Sequence, residues 1–491
     1  MTDLVLVTVD SLRADHVGRY GYGRDTTPTI DAVAADGHRF ANAFTHACST
    51  RPSFPSILTS SYPLMYGGFE RIAPGRTLVS EALAEAGYAN AGFHSNLFLS
   101  AEFGYDRGWE TYFDSKTDPS VAARAKQAVK ERLDQNGRLY RFLAGAVDTA
   151  EREAGVNVGS AYVLADEITD RALQWVRSRD GAGSRFLWVH YMDVHHPYVP
   201  PPRHQRPFRD EPIGEREAIQ LRRKMVEDPA ALTTAERSAL VGLYDAEIRF
   251  ADAEIGRLLS GVREAWGDDP LTIVTADHGE AFGEHGPYSH PNTFYDEVMH
   301  VPLVASLPDG TNGGGETANG AAGAAEEGGH STVHDDLVGL LDVAPTLVDY
   351  AGGDRGGFYG HSLRGLIEDG DWPRERVVGD HEGGGERTVA IRTTDRKFIR
   401  REPTGESTEE SVVAAGDDRP RGTGVHEELY DLGSDPGETT NLAGERPDER
   451  DQFRKAVAEH LRAVAATDTD LDRIEMDEAA ASRLRDLGYR E

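Results

Sequence analysis

The sequence predicts a doubly wound α/β fold with a mostly parallel sheet, followed by a smaller α+β domain. Three observations support this prediction: short apolar runs rich in β-branched residues, segments of helical periodicity between them, and a change of pattern after about residue 372. Continuous apolar runs are typical of strands that are covered on both faces of a sheet. Their alternation with helices favours parallel strands joined by helical crossovers.

In chain order, the predicted buried strands comprise residues 4–9, 186–190, 271–275 and 301–305. Residues 78–86 and 235–259 show helical periodicity and are expected to cover the sheet. Two segments depart from this pattern. Residues 115–182 are charged and predict a helical insertion, whereas residues 309–332 are rich in Gly, Ala and Glu and predict a flexible surface loop.

We predict that residues 1–372 form a first domain that includes these two insertions, and that residues 373–491 form a second. A terminal helix is expected in the second domain from about residue 446 to residue 464. Short antiparallel strands are expected before it, at residues 377–378, 389–392 and 398–400.

The chain is strongly acidic, with 84 Asp and Glu residues against 52 Lys and Arg residues and a formal net charge of −32. Such a surface repels nucleic acid and anionic membranes, because it offers no basic patch to phosphate groups. The acidic excess is spread along the chain and lysine is scarce. This pattern favours a salt-rich cytoplasm, as in halophilic archaea, over a generic acidic protein.

Cysteine usage and hydropathy indicate the compartment. The single cysteine, Cys48, excludes an intrachain disulfide. We find no pattern of a secretory signal and no run of about 18 apolar residues that would predict a membrane span. We therefore expect a cytoplasmic protein without a membrane span, and the sequence leaves its oligomeric state open.

Polar clusters follow three of the predicted strands. Asp10 follows the first strand, Asp193 with His195 and His196 follows the second, and Asp277 with His278 follows the third. Ligands of doubly wound folds bind beyond the carboxyl ends of the strands. Polar groups at three strand ends therefore predict a functional site at this edge of the sheet.

Asp10, Asp277 and His278 have the chemistry of a metal site. A carboxylate beside an imidazole supplies ligands for a divalent ion, and Asp10 reaches the same point if the two strands are neighbours. An isolated Asp-His pair is more often a helix cap or a surface pair. The flanking Gly279 and the matching carboxylate on a second strand favour the metal site.

Residues 47–59 form a cluster of hydroxyl groups around Pro52, followed by an apolar run that predicts a helix. A proline in the first turn leaves backbone N–H groups free to bind an anion. A hydroxyl group here could be deprotonated against the metal and act as a nucleophile. The alternative is an ordinary Ser or Thr helix cap.

Together these motifs resemble the sulfatase family of the alkaline phosphatase superfamily. The resemblance rests on residues 10–16 with 20–22, 277–286, 295–303, 428–442 and 484–489, and it covers nearly the whole chain outside the two insertions. It implies an alkaline-phosphatase-like fold and one divalent metal ion, Ca, Mn, Mg or Zn, bound by Asp10, Thr50, Asp277 and His278. Ser11 stands where many sulfatases have a second Asp, so the resemblance leaves the metal identity open.

The nucleophile segment departs from the family pattern. Sulfatases carry a Cys or Ser that is oxidised to formylglycine, two residues before a Pro and four before an Arg. In this alignment Thr50 takes the position of the modified residue, and Phe54 takes that of the Arg. Cys48 lies two residues too early, which argues against formylglycine. Thr50 resembles instead the threonine nucleophile of phosphatases and phosphoethanolamine-type transferases of the superfamily.

The resemblance also implies roles for two histidines. His195, in the sequence His-His-Pro, matches a family histidine that is a candidate to protonate the leaving oxygen, although a histidine that only structures the turn would look the same. His290 stands where relatives place a histidine or lysine that faces the substrate anion. Arg51 is adjacent to Thr50, and we hypothesise that it replaces the missing arginine charge.

These residues predict a metal-dependent hydrolase of small-molecule sulfate, phosphate or phosphonate esters that works through a covalent intermediate on Thr50. A threonine lacks the geminal diol by which formylglycine eliminates sulfate, so phosphorus esters are at least as well suited as sulfate esters. One alternative is transfer of a phosphoryl group, as in phosphoethanolamine transferases. Another is a catalytically silent protein that binds anions.

Overall fold

The computed structural model describes residues 2–66, 71–73, 75–115, 162–179, 183–267, 269–308, 331–383, 385–404 and 424–467. The first domain contains an eight-stranded sheet. Its strands are β1 (Leu4–Val9), β2 (His38–Phe44), β3 (Ala89–Phe93), β4 (Thr111–Phe113), β5 (Arg185–Tyr191), β6 (Leu271–Ala276), β9 (Leu303–Ser306) and β10 (Thr332–Gly339). A separate two-stranded hairpin comprises β7 (Ala281–Phe282) and β8 (Tyr288–Ser289).

Helices cover the large sheet. They are α1 (Pro28–Ala35), α2 (Thr50–Thr59), α3 (Pro63–Tyr66), α4 (Val79–Glu85), α5 (Ala165–Ser178), α6 (Pro202–Gln205), α7 (Glu215–Glu227), α8 (Thr234–Trp266), α9 (Asp296–Met299), α10 (Val343–Tyr350) and α11 (Arg364–Asp369). The predicted helices at 78–86 and 235–259 correspond to α4 and α8. A capping box of Thr233 and Glu236 starts α8, and Gly267 ends it in the left-handed conformation.

The order of strands in the sheet is β10-β2-β9-β6-β1-β5-β3-β4. β1 lies in the middle and pairs in parallel with β5 on one side and β6 on the other. Every residue of β1 and β6 is buried, as the continuous apolar runs indicated. The prediction of a doubly wound, mostly parallel sheet is confirmed.

The strand at 301–305 differs from the prediction, because β9 runs antiparallel to both of its neighbours. Its residues are as buried and apolar as those of a parallel strand, so composition does not reveal the direction. The reason lies in the connection. The chain leaves β6 and continues through β7, β8 and the short helix α9, with no long crossover helix to carry it back to the opposite edge.

The two predicted insertions lie largely outside the described residues, which omit 116–161 and 309–330. The described part of the first insertion contains α5, which packs on α8 and on strands β3 and β5. Its apolar face is buried, with Ile168, Leu173 and Val176 almost inaccessible to solvent. This part of the segment is therefore a helical layer of the α/β domain.

The second sheet is antiparallel, with the order β11 (Val377–Gly383), β12 (Glu386–Arg392), β13 (Arg396–Pro403) and β14 (His426–Asp431). Helix α12 (Pro447–Ala465) packs on it, at the place where a terminal helix is predicted. The smaller α+β domain is thus confirmed, and the boundary at 372 and 373 falls between α11 and β11. None of the helices within the described ranges combines the length and apolar character that a bilayer span requires.

A buried group of charges joins the two sheets. Lys397 of β13 is inaccessible to solvent and forms ion pairs with Asp296 of α9 and with Glu438, whose Oε1 lies 2.7 Å from Lys397 Nζ. Arg392 also reaches Asp296, with 3.2 Å between Nη2 and Oδ2. The signature residue Asp296 therefore connects the domains through its charge pairs with Lys397 and Arg392.

Replacing Lys397 with methionine is expected to lower the free energy of unfolding by about 3–5 kcal/mol, because it leaves buried carboxylates without their cation. Chemical denaturation followed by circular dichroism measures this loss. The matched control is Lys455→Met, since Lys455 is exposed on α12. The double variant with Glu438→Gln should recover part of the loss. An equal loss in the two single variants would contradict the role of the junction.

His285 contributes a second contact at this junction. Its Nδ1 lies 2.7 Å from Glu297 Oε1, and its ring stacks on that of Tyr295 with 3.7 Å between centroids. Burial alone lowers the pKa of His285, but the hydrogen bond and charge of Glu297 outweigh burial and raise it above the ordinary value. A raised pKa in the folded state means that the pair stabilises the fold while the imidazole is protonated.

The stabilisation by His285 is therefore expected to be complete below its unfolded pKa of about 6.5 and lost as the pH rises through the raised value. The measurement compares wild type with His285→Gln by denaturation at about pH 5.5 and about pH 9. The difference in unfolding free energy should be larger at the lower pH. A difference that grows with pH would exclude the protonated pair.

Candidate active site

The candidate active site lies at the carboxyl ends of the central strands. Asp10 follows β1 and Asp277 follows β6, and these neighbouring strands end in register, with Val9 opposite Ala276. The register places the two carboxylates side by side. Ser11, with a φ of 58°, donates its backbone N–H to Asp277 Oδ1 over 3.1 Å and its hydroxyl to Asp10 Oδ1 over 2.8 Å. The turn after β1 thus orients both carboxylates.

Thr50 is the first residue of α2 and faces these carboxylates. Its hydroxyl donates to Asp10 Oδ2 over 3.1 Å and lies 3.3 Å from His278 Nε2. Ser53, one turn later, donates to the backbone oxygen of Asp277 over 2.6 Å, which fixes the helix against the end of β6. The hydroxyl of Thr50 is therefore buried in the site, at the positive end of a helix dipole.

Three imidazoles are oriented in the same way. His278 donates from Nδ1 to the backbone oxygen of Gly279 over 2.7 Å, and His195 donates from Nδ1 to the backbone oxygen of His196 over 2.6 Å. His190 Nδ1 lies 3.0 Å from the hydroxyl of Thr8. When Nδ1 is held by a polar group, Nε2 of the neutral ring is available as a ligand or proton acceptor.

Gly279 makes the approach of His278 possible. A Cβ atom at this position would lie 2.1 Å from the backbone oxygen of Glu297, closer than atoms can pack. Gly279 N also donates to the backbone oxygen of Val298 over 2.8 Å. Only glycine fits where the turn after β6 meets α9.

The donor atoms of Asp10, His190 and Asp277 lie within 4.8 Å of one another, and all three residues are buried. His278 Nε2 is 3.9 Å from Asp10 Oδ1 and 3.6 Å from Asp277 Oδ2. Within the described residues, Asp277 Oδ2 and His190 Nε2 have no hydrogen-bond partner. Buried polar atoms that lie close together and lack hydrogen-bond partners are suited to bind a divalent cation.

The pKa values of Asp10 and Asp277 also fit a bound cation. Burial and then the charge of Asp10 raise the pKa of Asp277 to about 8. For Asp10, burial acts upward, but the contact with His190 and the charges of His195 and His278 outweigh it and hold its pKa below the ordinary range. Two buried carboxylates resist simultaneous ionisation unless a cation neutralises them.

Sequence reasoning missed two neighbours of Asp10. His190 Nε2 lies 3.6 Å from Asp10 Oδ2, and Asn96 Nδ2 lies 3.5 Å from the same oxygen. His190 is a polar residue in an otherwise apolar strand, which is a usable signal, but only the pairing of His190 with Thr8 shows that it reaches the site. Asn96 follows β3, a strand that the apolar pattern did not predict.

The predicted residues His195 and His290 lie together, with 5.0 Å between their ring centroids, and the His290 ring is 5.3 Å from that of His278. Burial lowers the pKa of His195 to about 3. Burial also acts downward on His290, but the carboxylates of Glu280 and Asp10 outweigh it and raise its pKa. Of the two rings, His290 is thus the one that favours the protonated form.

Other residues near the site contact a helix or aromatic rings of the fold. Asp193 is fully buried, and burial raises its pKa to about 7. It accepts a hydrogen bond from Ala165 N over 3.0 Å, which anchors the start of α5. Phe54 packs on the ring of His190 with 4.9 Å between centroids. The guanidinium of Arg51 lies over Phe98 and Phe103, 5.2 and 5.1 Å from the ring centroids.

Two further residues bear on the chemistry. Cys48 is buried beside Ala281 and Val298, and burial raises the pKa of its thiol to about 12, so it is not a reactive thiolate. Arg222 of α7 places a positive charge near His196, where burial, His195 and this guanidinium together lower the pKa of the imidazole. Arg222 is a cationic group that sequence reasoning did not associate with the site.

Comparisons with known proteins agree with this geometry. The sulfatase family model matches residues 2–353. An arylsulfatase of Clostridium perfringens is 24% identical over 94% of both chains, and human iduronate 2-sulfatase is 25% identical over 71% of this chain and 69% of its own. The crystal structure of a phosphonate monoester hydrolase of Agrobacterium radiobacter superposes with a TM-score of 0.65, at 19% identity and with 95% and 96% of the two chains covered. At this identity the superposition shows the fold alone.

Proposed function

The chain belongs to the sulfatase family of the alkaline phosphatase superfamily and is an ester hydrolase, and from this premise we propose that Thr50 is its nucleophile and that a phosphate or phosphonate ester is its substrate. One observation carries the proposal. The Thr50 hydroxyl occupies the first turn of α2 and contacts both Asp10 and His278. Hydrolysis of a sulfate ester is the second candidate, because the relative from Clostridium perfringens is an arylsulfatase.

Asp10, Thr50, Asp277 and His278 would hold one divalent ion, with His190 as a further ligand. Such an ion supplies Lewis-acid polarisation and favours the deprotonated hydroxyl. The hydrogen bond to Asp10 Oδ2 directs the Thr50 proton toward the carboxylate and leaves a lone pair of Oγ1 free to attack. The backbone N–H groups of the first turn of α2 face the anionic group of the substrate.

The leaving oxygen requires a proton or a positive charge on the opposite side of the reacting atom. We assign the proton to His195, whose pKa the negative charge of a bound ester would raise, and contact with the anion to His290, whose own pKa is already raised. Attack of Thr50 Oγ1 forms the bond to phosphorus while the bond to the leaving oxygen breaks. Water then hydrolyses the Thr50 ester and restores the hydroxyl.

Threonine chemistry favours phosphorus over sulfur. A formylglycine diol can eliminate sulfate from its own carbon, whereas a threonine ester must be cleaved by attack on the central atom. The high pKa of Cys48 and its contact with Ala281 and Val298 argue against its conversion to formylglycine. Metal identity, halophilic origin and cytoplasmic location stay predictions.

The experiment is a panel of aryl sulfate, phosphate monoester, phosphodiester and phosphonate substrates, assayed in concentrated KCl with Mn, Zn, Mg or Ca. Highest activity on a phosphorus ester is expected, with release of one alcohol per turnover. Preference for an alcohol acceptor over water would indicate the transferase alternative. Absence of turnover on every ester with every metal would favour the silent anion-binding protein.

Arg51 is tested in the same assay. We hypothesise that its charge supports the anion, although its guanidinium packs on Phe98 and Phe103. If so, Arg51→Ala should raise KM about tenfold, equivalent to about 1.4 kcal/mol of binding, and Arg51→Lys should retain part of the affinity. An unaltered KM and rate in Arg51→Ala would remove the hypothesis.

A further inference from the structure

A second cluster of metal-binding side chains lies beside the carboxylate pair. His195, His196 and His290 each offer a ring nitrogen, and these nitrogens lie within 4.8 Å of one another. The ring centroids are 4.3 Å apart for His195 and His196 and 5.7 Å apart for His196 and His290. The first two residues follow β5 and the third follows β8, so two separate parts of the chain converge here.

A buried nitrogen of His196 and a buried carboxylate complete the surroundings of this cluster. His196 is 2% exposed, and its Nδ1 has no hydrogen-bond partner within the described residues. Glu280 is fully buried, and its carboxylate pairs with His290 and raises the pKa of that imidazole. Glu280 Oε2 lies 3.9 Å from His290 Nδ1. This pairing compensates for the burial of the carboxylate and orients the His290 ring.

The hydrogen bonds also indicate which atoms are available. The backbone oxygen of His196 can only accept, so His195 Nδ1 carries the proton of that bond, and Nε2 of the neutral ring keeps its lone pair. Three imidazoles are borderline ligands that suit zinc and similar ions. By contrast, Asp10, Thr50 and Asp277 offer oxygen ligands, which hard cations prefer.

We propose that His195, His196 and His290 bind a second divalent cation of the zinc type, adjacent to the one at Asp10 and Asp277, with Glu280 paired to His290 behind it. This cation would supply the positive charge that Phe54 cannot provide in the nucleophile segment. The proposal deepens the proposed function, because a cation on His195 would replace the proton that we assigned to this residue. Thr50 keeps its role in either case.

Metal stoichiometry tests the proposal. The full chain is stripped with a chelator and reloaded with excess zinc, unbound metal is removed, and the metal per chain is measured by inductively coupled plasma mass spectrometry. Wild type should hold two equivalents. His290→Asn and His196→Asn should each hold one, and Asp10→Asn should also hold one. The control His334→Gln should hold two, because His334 is a buried histidine in contact with His38 at the far edge of the sheet.

Cobalt titration of the wild type provides a second measurement that does not depend on the variants. Two binding phases are expected, one with the visible absorption of a nitrogen-rich tetrahedral site. The proposal is overturned by a single equivalent in wild type, by two equivalents retained in His290→Asn, or by loss of all metal in each single variant, which would indicate one shared site. Failure of Thr50 as nucleophile would instead appear as activity in Thr50→Val, whatever the metal content of that variant.

Discussion

Thr50→Val is expected to lower kcat/KM on the order of 10⁴-fold to 10⁶-fold, the range found when nucleophiles are removed from covalent hydrolases. Valine keeps the shape of threonine and removes only the hydroxyl group. Its methyl group would meet Asp10 Oδ2 and His278 Nε2, where the hydroxyl now lies. Steady-state kinetics on the best ester of the panel measures the loss.

Two matched variants separate a nucleophile from a mere metal ligand or helix cap. Thr50→Ser restores the hydroxyl and should retain most of the rate. Cys48→Ala should leave the rate unchanged, because the thiol is buried against Ala281 and Val298. Rapid quenching of wild type with substrate should add a phosphoryl group to the peptide that contains Thr50. Activity of Thr50→Val close to that of wild type would exclude the covalent step.

Asp277→Asn is expected to abolish the stabilisation that a hard divalent ion such as Mg provides at the carboxylate pair. For an ion present at 100 times its Kd, that stabilisation is about 2.7 kcal/mol. Without metal the order should reverse, because the variant removes one of two buried like charges. Thermal unfolding with and without chelator therefore reverses the order of stability. Wild type is the more stable protein with metal, and the variant is the more stable one without it.

The control for this reversal is Asp106→Asn, since Asp106 is an exposed carboxylate, unlike the buried Asp10 and Asp277. It should gain the same stability from the metal as wild type does. Equal gains in Asp277→Asn and wild type would show that the ion binds elsewhere. Loss of the metal effect in Asp10→Asn as well would place both carboxylates at one ion.

The fold could be predicted from the sequence where burial alone determines the pattern. Residues buried on both faces make β1, β5 and β6 continuous apolar runs, so these strands are visible without any neighbour. The direction of β9 could not be predicted, since a reversed strand has the same composition as a parallel one. Direction depends on the connection, which residues 277–302 form without a long helix.

The candidate site could be anticipated in part for a similar reason. Asp10 and Asp277 end adjacent strands in register, so two positions in the sequence become one place in the fold. His190 was not anticipated, because its role depends on the pairing of β5 with β1. Glu428 and Glu438 belong to the motif that carries the resemblance, and they lie at the domain junction, where the hydroxyl of Tyr295 donates to Glu428 over 2.9 Å.

The connection from β6 to β9 has a consequence for how this protein can change over evolution or by design. The same stretch of chain carries His278, Glu280 and His290 toward the site and Asp296 toward Lys397 of the second domain. A carboxyl-terminal domain exchanged with that of a relative would therefore need to match this stretch as well. We expect chimeras to tolerate a crossover before residue 277 better than one at the apparent domain boundary.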